Sequence, residues 1–511
     1  MSPKRYHVMT FGCRVNQADT TAIMNDLESH AFMRSSTHLD ADVVVLNTCT
    51  VTHRSDADVR KAAQRIRREN PGAKVVVAGC FAQRAPEQIA KLGTVDAVVG
   101  HAHRSQLPII ADEILTPSNH ENTETRAPTR IAHTALEDLP PEVLPAVNPH
   151  AFVFERTRPF VKIQDGCDAP CTYCVIPSVR GAARSAPIDQ VMTAVRSLID
   201  QGYFEIVLAG VHLGTYGAHL DPPSDLVSLV KQILALDGLG RLRLSCIEPM
   251  AFPLALADLA AENAKLAPHF HLPLQSGSDR ILKRMVRPYH ARDYGRIVSY
   301  IRSRLPSACI GTDIIVGFPG ETEEDFRATA AFAESVGLDS IHVFSYSPRE
   351  GTAALRLPAH VDPRIVKERS RRLHAVAEAR WTAFLDRQIG QTRSAVTLAP
   401  SSTSTSTSTE SRASMLALAD NYAPIETELG HLMPNQNVSL RITGRKDGTL
   451  TGVLVAPDDD ASLAQHAPYT GGNASTTSQT SPASPASPAS PAAPAHASSA
   501  SHAIDAHASR A

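Results

Sequence analysis

Three cysteines, Cys167, Cys171 and Cys174, stand in the run Gly-Cys-Asp-Ala-Pro-Cys-Thr-Tyr-Cys spanning residues 166–174, and no fourth cysteine lies near them. A fold that carries this run must bring three thiolates to one point and leave one side of that point open. Three thiolates can hold three irons of a four-iron, four-sulfur (4Fe-4S) cluster, with the fourth iron free for a small molecule; four would close the cluster and suit electron transfer. Zinc fits less well, because structural zinc takes four Cys/His ligands, often as paired C-x2-C. A disulfide would leave one cysteine over, and a redox pair of Cys171 and Cys174 would leave Cys167 idle.

A second constellation is dispersed. Cys13, Cys49 and Cys80 each follow a strand-like run, namely Tyr6–Thr10, Val43–Leu46 and Val75–Ala78. In a parallel sheet all three would emerge at one edge, where open α/β sheets bind ligands. Gly12 and Gly79, just before Cys13 and Cys80, permit a tight backbone turn. The competing reading is three buried structural cysteines, since free Cys is among the most buried residue types. The matching positions favour a second three-thiolate metal site. Cys246 and Cys309 lack such company and are expected in the core.

The strand and helix patterns predict an α/β protein. Residues 1–112 alternate strand with helix (Asn16–Ser29 and Asp56–Glu69 among the helices, Ala97–Val99 as a further strand), which predicts an open parallel α/β sheet domain. Residues 113–150, rich in Pro, Thr, His and Asn, read as a linker. From 151 to 387, six strand-like runs begin at Phe160, Ile206, Arg241, His269, Gly311 and Ser340, with helices such as Ile188–Gln201 and Thr322–Val336 between them. They predict a partial TIM-like (βα)6 barrel with its chemistry at the C-terminal strand ends. Asp362–Asp386 is a long charged amphipathic helix that carries Trp381 and is expected to pack against that barrel. Residues 388–455 predict a small antiparallel β-barrel, interrupted by a Ser-Thr repeat at 401–409. The tail, 456–511, repeats Ser-Pro-Ala and is expected to be disordered.

Composition excludes little. The chain has 511 residues, enough for about three domains. No stretch reaches the ~18 apolar residues of a membrane helix, and the N-terminus shows no signal-peptide pattern. Eight cysteines clustered in this way suit metal ligation in a reducing, cytoplasmic compartment. The net charge of −2 includes a tail with four Asp and one Arg, so residues 1–455 carry +1 and could still form a local RNA surface. Candidate phosphate contacts are Arg60, Lys61, Arg65, Arg67 and Arg68 on one helix, and Arg441, Arg445 and Lys446 in the last barrel, with Tyr422 as a stacking platform. The plain reading of each charge run is a solvated face.

The C-x3-C-x2-C run, with Tyr173 before its last cysteine, resembles the radical S-adenosylmethionine (SAM) enzymes. With the second triad, the chain resembles the radical SAM methylthiotransferases over roughly residues 5–455. The matching segments are Phe11-Gly-Cys-Arg-Val-Asn-Gln17, Asn47-Thr-Cys-Thr-Val-Thr52, Gly79-Cys-Phe-Ala-Gln83, Ile163-Gln-Asp-Gly-Cys167, Arg180-Gly181 with Arg184-Ser185, His271-Leu-Pro-Leu-Gln-Ser-Gly-Ser278 and Gly317-Phe-Pro-Gly-Glu-Thr322. The resemblance implies two 4Fe-4S clusters, at Cys13/Cys49/Cys80 and Cys167/Cys171/Cys174, with SAM as methyl donor and radical source. It also implies an RNA-binding β-barrel of the TRAM type, a tRNA anticodon stem-loop as substrate, and an external electron donor and sulfur source, with no membrane partner. Replacing an unactivated C–H by C–S is beyond acid–base side chains, so the cofactor carries that chemistry.

Gly-Cys-Arg-Val-Asn-Gln17 and His342-Val-Phe-Ser-Tyr-Ser-Pro-Arg-Glu-Gly-Thr352 are similar to the branch that modifies N6-threonylcarbamoyladenosine beside the anticodon (adenosine-37). The other branches act on isopentenyladenosine or on a ribosomal-protein aspartate. An iron–sulfur RNA-binding sensor without turnover is the alternative of another class. SAM contacts are expected from Gly210, Glu248, His271, Gln275, Asp313 and Arg184. For each there is a plainer reading, such as a strand–loop turn at Gly210 or a solvated carboxylate at Glu248. Ser178 stands where this branch commonly has Tyr.

Overall fold

The computed structural model describes residues 3–116, 128–136, 147–150, 157–399, 414–428 and 431–455. The Ser-Thr repeat, the tail and most of the expected linker lie outside the described residues.

The Val/Leu-rich runs of the first domain make strands buried on both faces, as parallel strands flanked by helices must be. Strands β1 (Arg5–Thr10), β2 (Met33–Arg34), β3 (Val43–Thr48), β4 (Lys74–Gly79), β5 (Ala97–Val99) and β6 (Arg130–Ala132) form one parallel sheet in the order β2-β1-β3-β4-β5-β6. Strand β6 falls inside the expected linker and extends the sheet edge. The order reverses between β1 and β3, and at such a switch point the following loops diverge and leave a crevice. Helix α1 (Arg14–Ser29) follows β1, and α2 (His53–Glu69) follows β3, with the Thr52 hydroxyl accepting from the Ser55 N–H at 3.2 Å as its N-cap.

Two three-stranded parallel sheets build the central half-barrel. One has the order β11 (Arg241–Leu244), β10 (Glu205–Ala209), β7 (Phe160–Lys162), and the other β12 (His269–His271), β13 (Cys309–Val316), β14 (Ser340–Ser345). A parallel bridge between Cys246 and His271 joins them. A short antiparallel pair, β8 (Gln164–Asp165) with β9 (Arg184–Ser185), brackets the cysteine run. Side chains alternate along each strand. Ile206, Leu208, Leu242, Leu244, Phe270, Leu272, Ile310 and Ile314 pack outward in one core with the surrounding helices. The alternate positions, which include Glu205, Arg243, His269, His271, Asp313 and His342, face inward. A complete barrel of this kind fills its interior with branched apolar residues; this one sets these polar and charged side chains beside a small apolar cluster of Phe160, Val207 and Ala209.

Strands β15 (Thr392–Thr397), β16 (Ser414–Ala419), β17 (Pro424–Glu428), β18 (Asn437–Lys446) and β19 (Thr449–Leu454) close into a barrel in the order β15-β16-β17-β19-β18. Every pairing but one is antiparallel. The β17–β19 pairing is parallel and closes the ring of the expected antiparallel barrel. The helix Pro363–Asp386 buries Phe384 and Leu385 against this small barrel, each worth about 1.5–3 kcal/mol. Its Leu373, Val366, Val376 and Ala377 pack in the core of the half-barrel, as expected, and Trp381, further along, donates its indole N–H to the Gly448 carbonyl of the small barrel at 3.1 Å.

The small barrel seats on the N-terminal strand ends of the half-barrel through Arg243, whose guanidinium reaches the carbonyls of Ala419 and Asp420. Glu205, fully buried, pairs with Arg243 at 2.8 Å and with Arg241 and Arg158 at 3.2 Å. Burial alone would raise the Glu205 carboxyl, but the three arginines overcome it and hold it well below the usual carboxylate range. A depressed folded-state value means the stabilisation is fully present above the unfolded value, about 4.3 for Glu. It is lost as pH falls through the folded value. Glu205→Gln should therefore cost about 3–5 kcal/mol near neutral pH by leaving the buried Arg241 and Arg243 and the half-buried Arg158 without their counter-charge. In urea unfolding followed across pH, the gap from the parent should stay constant above about pH 5 and close only in stronger acid.

Candidate active site

The three strand-end cysteines of the first domain converge. Gly12, at φ +100°, sits so close to Cys49 that a Cβ on residue 12 would lie 2.3 Å from the Cys49 Cβ. Only glycine lets the loop before Cys13 approach this way. Asn16, fully buried, ties the loops together: its amide donates to the carbonyls of Phe11 (2.9 Å) and Thr48 (2.8 Å), and its Oδ1 lies 3.8 Å from Cys80 Sγ. The Thr48 hydroxyl accepts from the Phe81 N–H and donates to Ala78, which fixes the Cys80 turn to the end of β3. His101 stands 3.7 Å from Cys80 Sγ. Burial, with Arg180 adding to it, holds its imidazole neutral, at about 3.

In the half-barrel, each sulfur of the C-x3-C-x2-C run has a hydrogen-bond donor. The Ala169 N–H points to Cys167 and the Ile176 N–H to Cys174, both at 3.4 Å, and Arg287 points to Cys171 at 3.3 Å. None of the six thiols is in a disulfide. Burial, reinforced by neighbouring thiols, pushes Cys80 and Cys174 up to about 12. Bare, these thiols hold their protons, and binding a cationic iron centre would release them. Donors to every sulfur of the run and two sets of three unpaired thiols fit two anionic iron–sulfur clusters.

A cavity of about 180 Å³ joins the two regions. Val51 and Thr52, just after Cys49, form one wall; Tyr173, Cys174, Gln275, Asp313, Phe344 and Tyr346 from the half-barrel mouth form the others. The expected SAM contacts divide accordingly. Gln275 and Asp313 line the cavity. His271 touches it through Asp313: His271 Nε2 and His342 Nδ1 lie 2.9 and 3.1 Å from the same Asp313 oxygen. Asp313 thus both faces the cavity and is hydrogen-bonded. Burial opposes its ionisation, but the two imidazoles prevail and lower its carboxyl. Glu248 is half-buried and paired: Arg287 holds it while also contacting Cys171. Gly210 lies against Gln164, whose Oε1 accepts from the His212 N–H, and His212 Nδ1 is 3.8 Å from Cys167 Sγ. Arg184 does not line the cavity; it donates to the carbonyls of Arg180 and Ala182 and shapes the loop after the cysteine run.

The docking of the two domains rests on a buried charge network absent from the sequence expectations. Arg180 gives both edges of its guanidinium, one to Asp165 at 3.0 and 3.2 Å, the other to Asp19 at 2.9 Å and to Asn16. Lys162 bridges the same two carboxylates, and Arg104 adds a contact to Asp19 at 2.9 Å. A second clamp joins Arg349 to Asp56 at 2.6 Å. Arg180-Gly181 was visible as a motif, but nothing in spacing pairs it with Asp19, 161 residues away. Arg287 carried no signal beyond being an arginine after a helix.

Several surface and core expectations change. Tyr422 is no open stacking platform: its ring stacks on His269 at 4.2 Å and its hydroxyl accepts from Arg14. Arg67 is held by Asp96 and three carbonyls, and Arg60 lies over the Phe81 ring, which leaves Lys61, Arg65 and Arg68 exposed on α2, together with Arg54. Arg441, Arg445 and Lys446 are exposed, with Arg445 paired to Asp386. Cys309 is core, whereas Cys246 is half-buried beside His271. Ser178 bonds locally to the Val175 carbonyl.

A half-barrel with an open-sided thiol triad at its mouth is the architecture of the radical SAM superfamily, whose family model matches residues 161–333. Residues 5–100 match a second model, described as uncharacterized protein family UPF0004. Among curated proteins, the chain is 37% identical to the threonylcarbamoyladenosine tRNA methylthiotransferase MtaB of Aquifex aeolicus, covering 76% of this chain and 92% of that one. It is 35% identical to the protein of the same name from Bacillus subtilis (72% and 79%). A tRNA-2-methylthio-N(6)-dimethylallyladenosine synthase of Corynebacterium urealyticum is 36% identical (73% and 69%). The chain belongs to the radical SAM methylthiotransferase family: it is a transferase that uses SAM and 4Fe-4S clusters. Among the described residues, no helix is long and apolar enough to cross a membrane.

Arg180→Met should cost about 3–5 kcal/mol, because it leaves two buried carboxylates with a cation fewer, which Lys162 and Arg104 offset only in part. The measurement is chemical unfolding, with limited proteolysis to show the first domain released from the half-barrel while the small barrel stays seated.

Proposed function

We propose that this enzyme methylthiolates C2 of N6-threonylcarbamoyladenosine at position 37 of tRNA, beside the anticodon. Cys167, Cys171 and Cys174 hold the cluster that binds SAM, and Cys13, Cys49 and Cys80 hold the second cluster. The observation that carries this reading is the cavity with Val51 and Thr52 on one side and Cys174 on the other, since sulfur insertion needs both thiol sets at one substrate atom. When bound, the clusters and SAM supply the radical and the methylthio group. The chain's own residues do the rest. Asn16, Gly12 and Thr48 fix the first triad; Arg287 orients Cys171 and Glu248; Gln275 and Asp313 present polar groups to SAM; and Tyr173, Phe344 and Ile315 exclude water.

The choice of nucleoside rests on two supports. Two relatives carry the threonylcarbamoyladenosine name. The inward wall beside the cavity, with His271, Asp313 and His342, is polar and suits a threonyl side chain better than five hydrocarbon atoms. The exposed cations of α2 and of the small TRAM-like barrel suit the phosphates of an anticodon stem-loop. An external electron donor and a sulfur source complete the reaction. A tRNA substrate and six free thiols fit the cytoplasm.

Mass spectrometry of tRNA nucleosides tests the substrate. Deleting the gene should abolish the 2-methylthio derivative of threonylcarbamoyladenosine and let its precursor accumulate. Persistence at normal levels, with no second enzyme of this kind present, overturns the reading, and loss of the isopentenyl derivative instead reassigns it. Iron analysis of anaerobically prepared protein tests the ligands: the Cys13/Cys49/Cys80 triple Ala variant should keep about half its iron, as expected if each thiol set holds one cluster.

A further inference from the structure

Arg14, the residue after Cys13, is a cation without a counter-ion among the described residues. Its guanidinium donates to the Tyr422 hydroxyl at 3.0 Å and lies 6.0 and 5.9 Å from the ring centroids of Phe160 and Tyr422. No carboxylate pairs with it among the described residues, although most arginines around it are paired with one: Arg180, Arg104, Arg158, Arg241 and Arg243 each pair with Asp or Glu. It is half-buried. Phe160 stands on an inward position of β7, and the Tyr422 ring stacks on His269 of the inward face of β12, so the guanidinium stands at the interior of the half-barrel. Its charge acts on His269 and on Cys246, and Asp313 and Glu248 act on the same Cys246. Arg14 therefore stands inside the half-barrel at the end where the small barrel seats, outside the lining of the cavity, and it is delivered there by the loop that carries a cysteine of the first triad.

We propose that Arg14 binds the carboxylate of the N6 side chain of the substrate nucleoside and so selects an acidic side chain over a hydrocarbon one. This rests on the threonylcarbamoyladenosine reading above and names the contact that enforces it. On adenine, C2 and C6 flank N1. With C2 directed at the cysteine sites, the N6 substituent diverges into the half-barrel interior, where Arg14 waits between two rings. A planar guanidinium takes a carboxylate through two parallel N–H donors. One donor of Arg14 is engaged by Tyr422, which holds the plane and leaves the others to the ligand. An isopentenyl group would bury the same cation against hydrocarbon with no compensating charge, and that penalty rejects it.

The test compares three anticodon stem-loop RNAs on the full-length enzyme with both clusters loaded: one with threonylcarbamoyladenosine, one with its side-chain carboxylate converted to the carboxamide, and one with isopentenyladenosine. The parent enzyme should lose about 100-fold in kcat/KM from acid to carboxamide, the scale expected when a buried charged hydrogen-bonding group loses its partner. R14Q should lose a similar factor on the acid RNA, mostly through KM, and should scarcely distinguish acid from carboxamide; R14K should recover part of the loss. Equal kcat/KM for acid and carboxamide with the parent enzyme overturns the contact while leaving the substrate reading intact, and this arm needs no variant to fold. If the parent enzyme turns over only the isopentenyl RNA, the substrate reading fails and the contact with it.

Discussion

Arg180 sits with its two carboxylates at the boundary between the first domain and the half-barrel, almost wholly out of water. Burying four or five charges costs several kcal/mol per ion unless each is met by opposite charge in good geometry. Here Arg180, Lys162 and Arg104 meet Asp19 and Asp165, and Asn16 closes the remaining edge of the guanidinium. Such a network has one favourable arrangement. A slide of the first domain by a single hydrogen-bond length would strand charges on both sides, which makes it a device for position more than for net stability.

Position is what the chemistry requires. Asn16 touches the loops of all three strand-end cysteines and also Arg180, so the element that shapes the first thiol site is the element that docks it. Asp165 lies two residues before Cys167, and Arg180 six after Cys174, so the same network grips the second thiol run from both ends. Two sets of thiols on separate domains thus share one rigid reference, and the cavity between them inherits its width from that reference. The Arg349–Asp56 clamp on the other side of the cavity, with the Ser347 hydroxyl accepting from the His53 N–H, keeps the first domain from rocking about it.

Periodicity and spacing carried much of this architecture. Runs such as Val43–Leu46 and Val75–Ala78 can only be buried parallel strands, and once they are parallel the following Cys49 and Cys80 must share an edge. Short or irregular elements escaped: β6 is three residues in a proline- and threonine-rich stretch, and β17 begins at a proline, so neither has a pattern to read. The thiol ligand sets were legible because cysteine is scarce and its spacing informative. Arg180, Asp19, Arg287 and Arg14 were not, because arginine and aspartate are common on surfaces and their partners lie far away in sequence. Tyr422 was misjudged for the related reason that an aromatic near basic residues looks the same whether it meets a base or a histidine of its own chain.

The polar interior of the half-barrel ties these observations together. A closed barrel can fill its centre with branched apolar side chains; a half-barrel that must admit a nucleotide from the side cannot, because its centre is wetted whenever the substrate leaves. Inward positions are therefore charged and cross-paired: Glu205 with Arg243 at the closed end, Asp313 with His271 and His342 near the mouth. The small barrel completes the arrangement by supplying carbonyls to Arg243 and the Tyr422 ring to His269. Among the described residues, Arg14, beside Cys13, has no acid paired with its guanidinium, which rests on the Tyr422 hydroxyl instead. Its position ties recognition of the substrate to the domain that carries the second set of thiols.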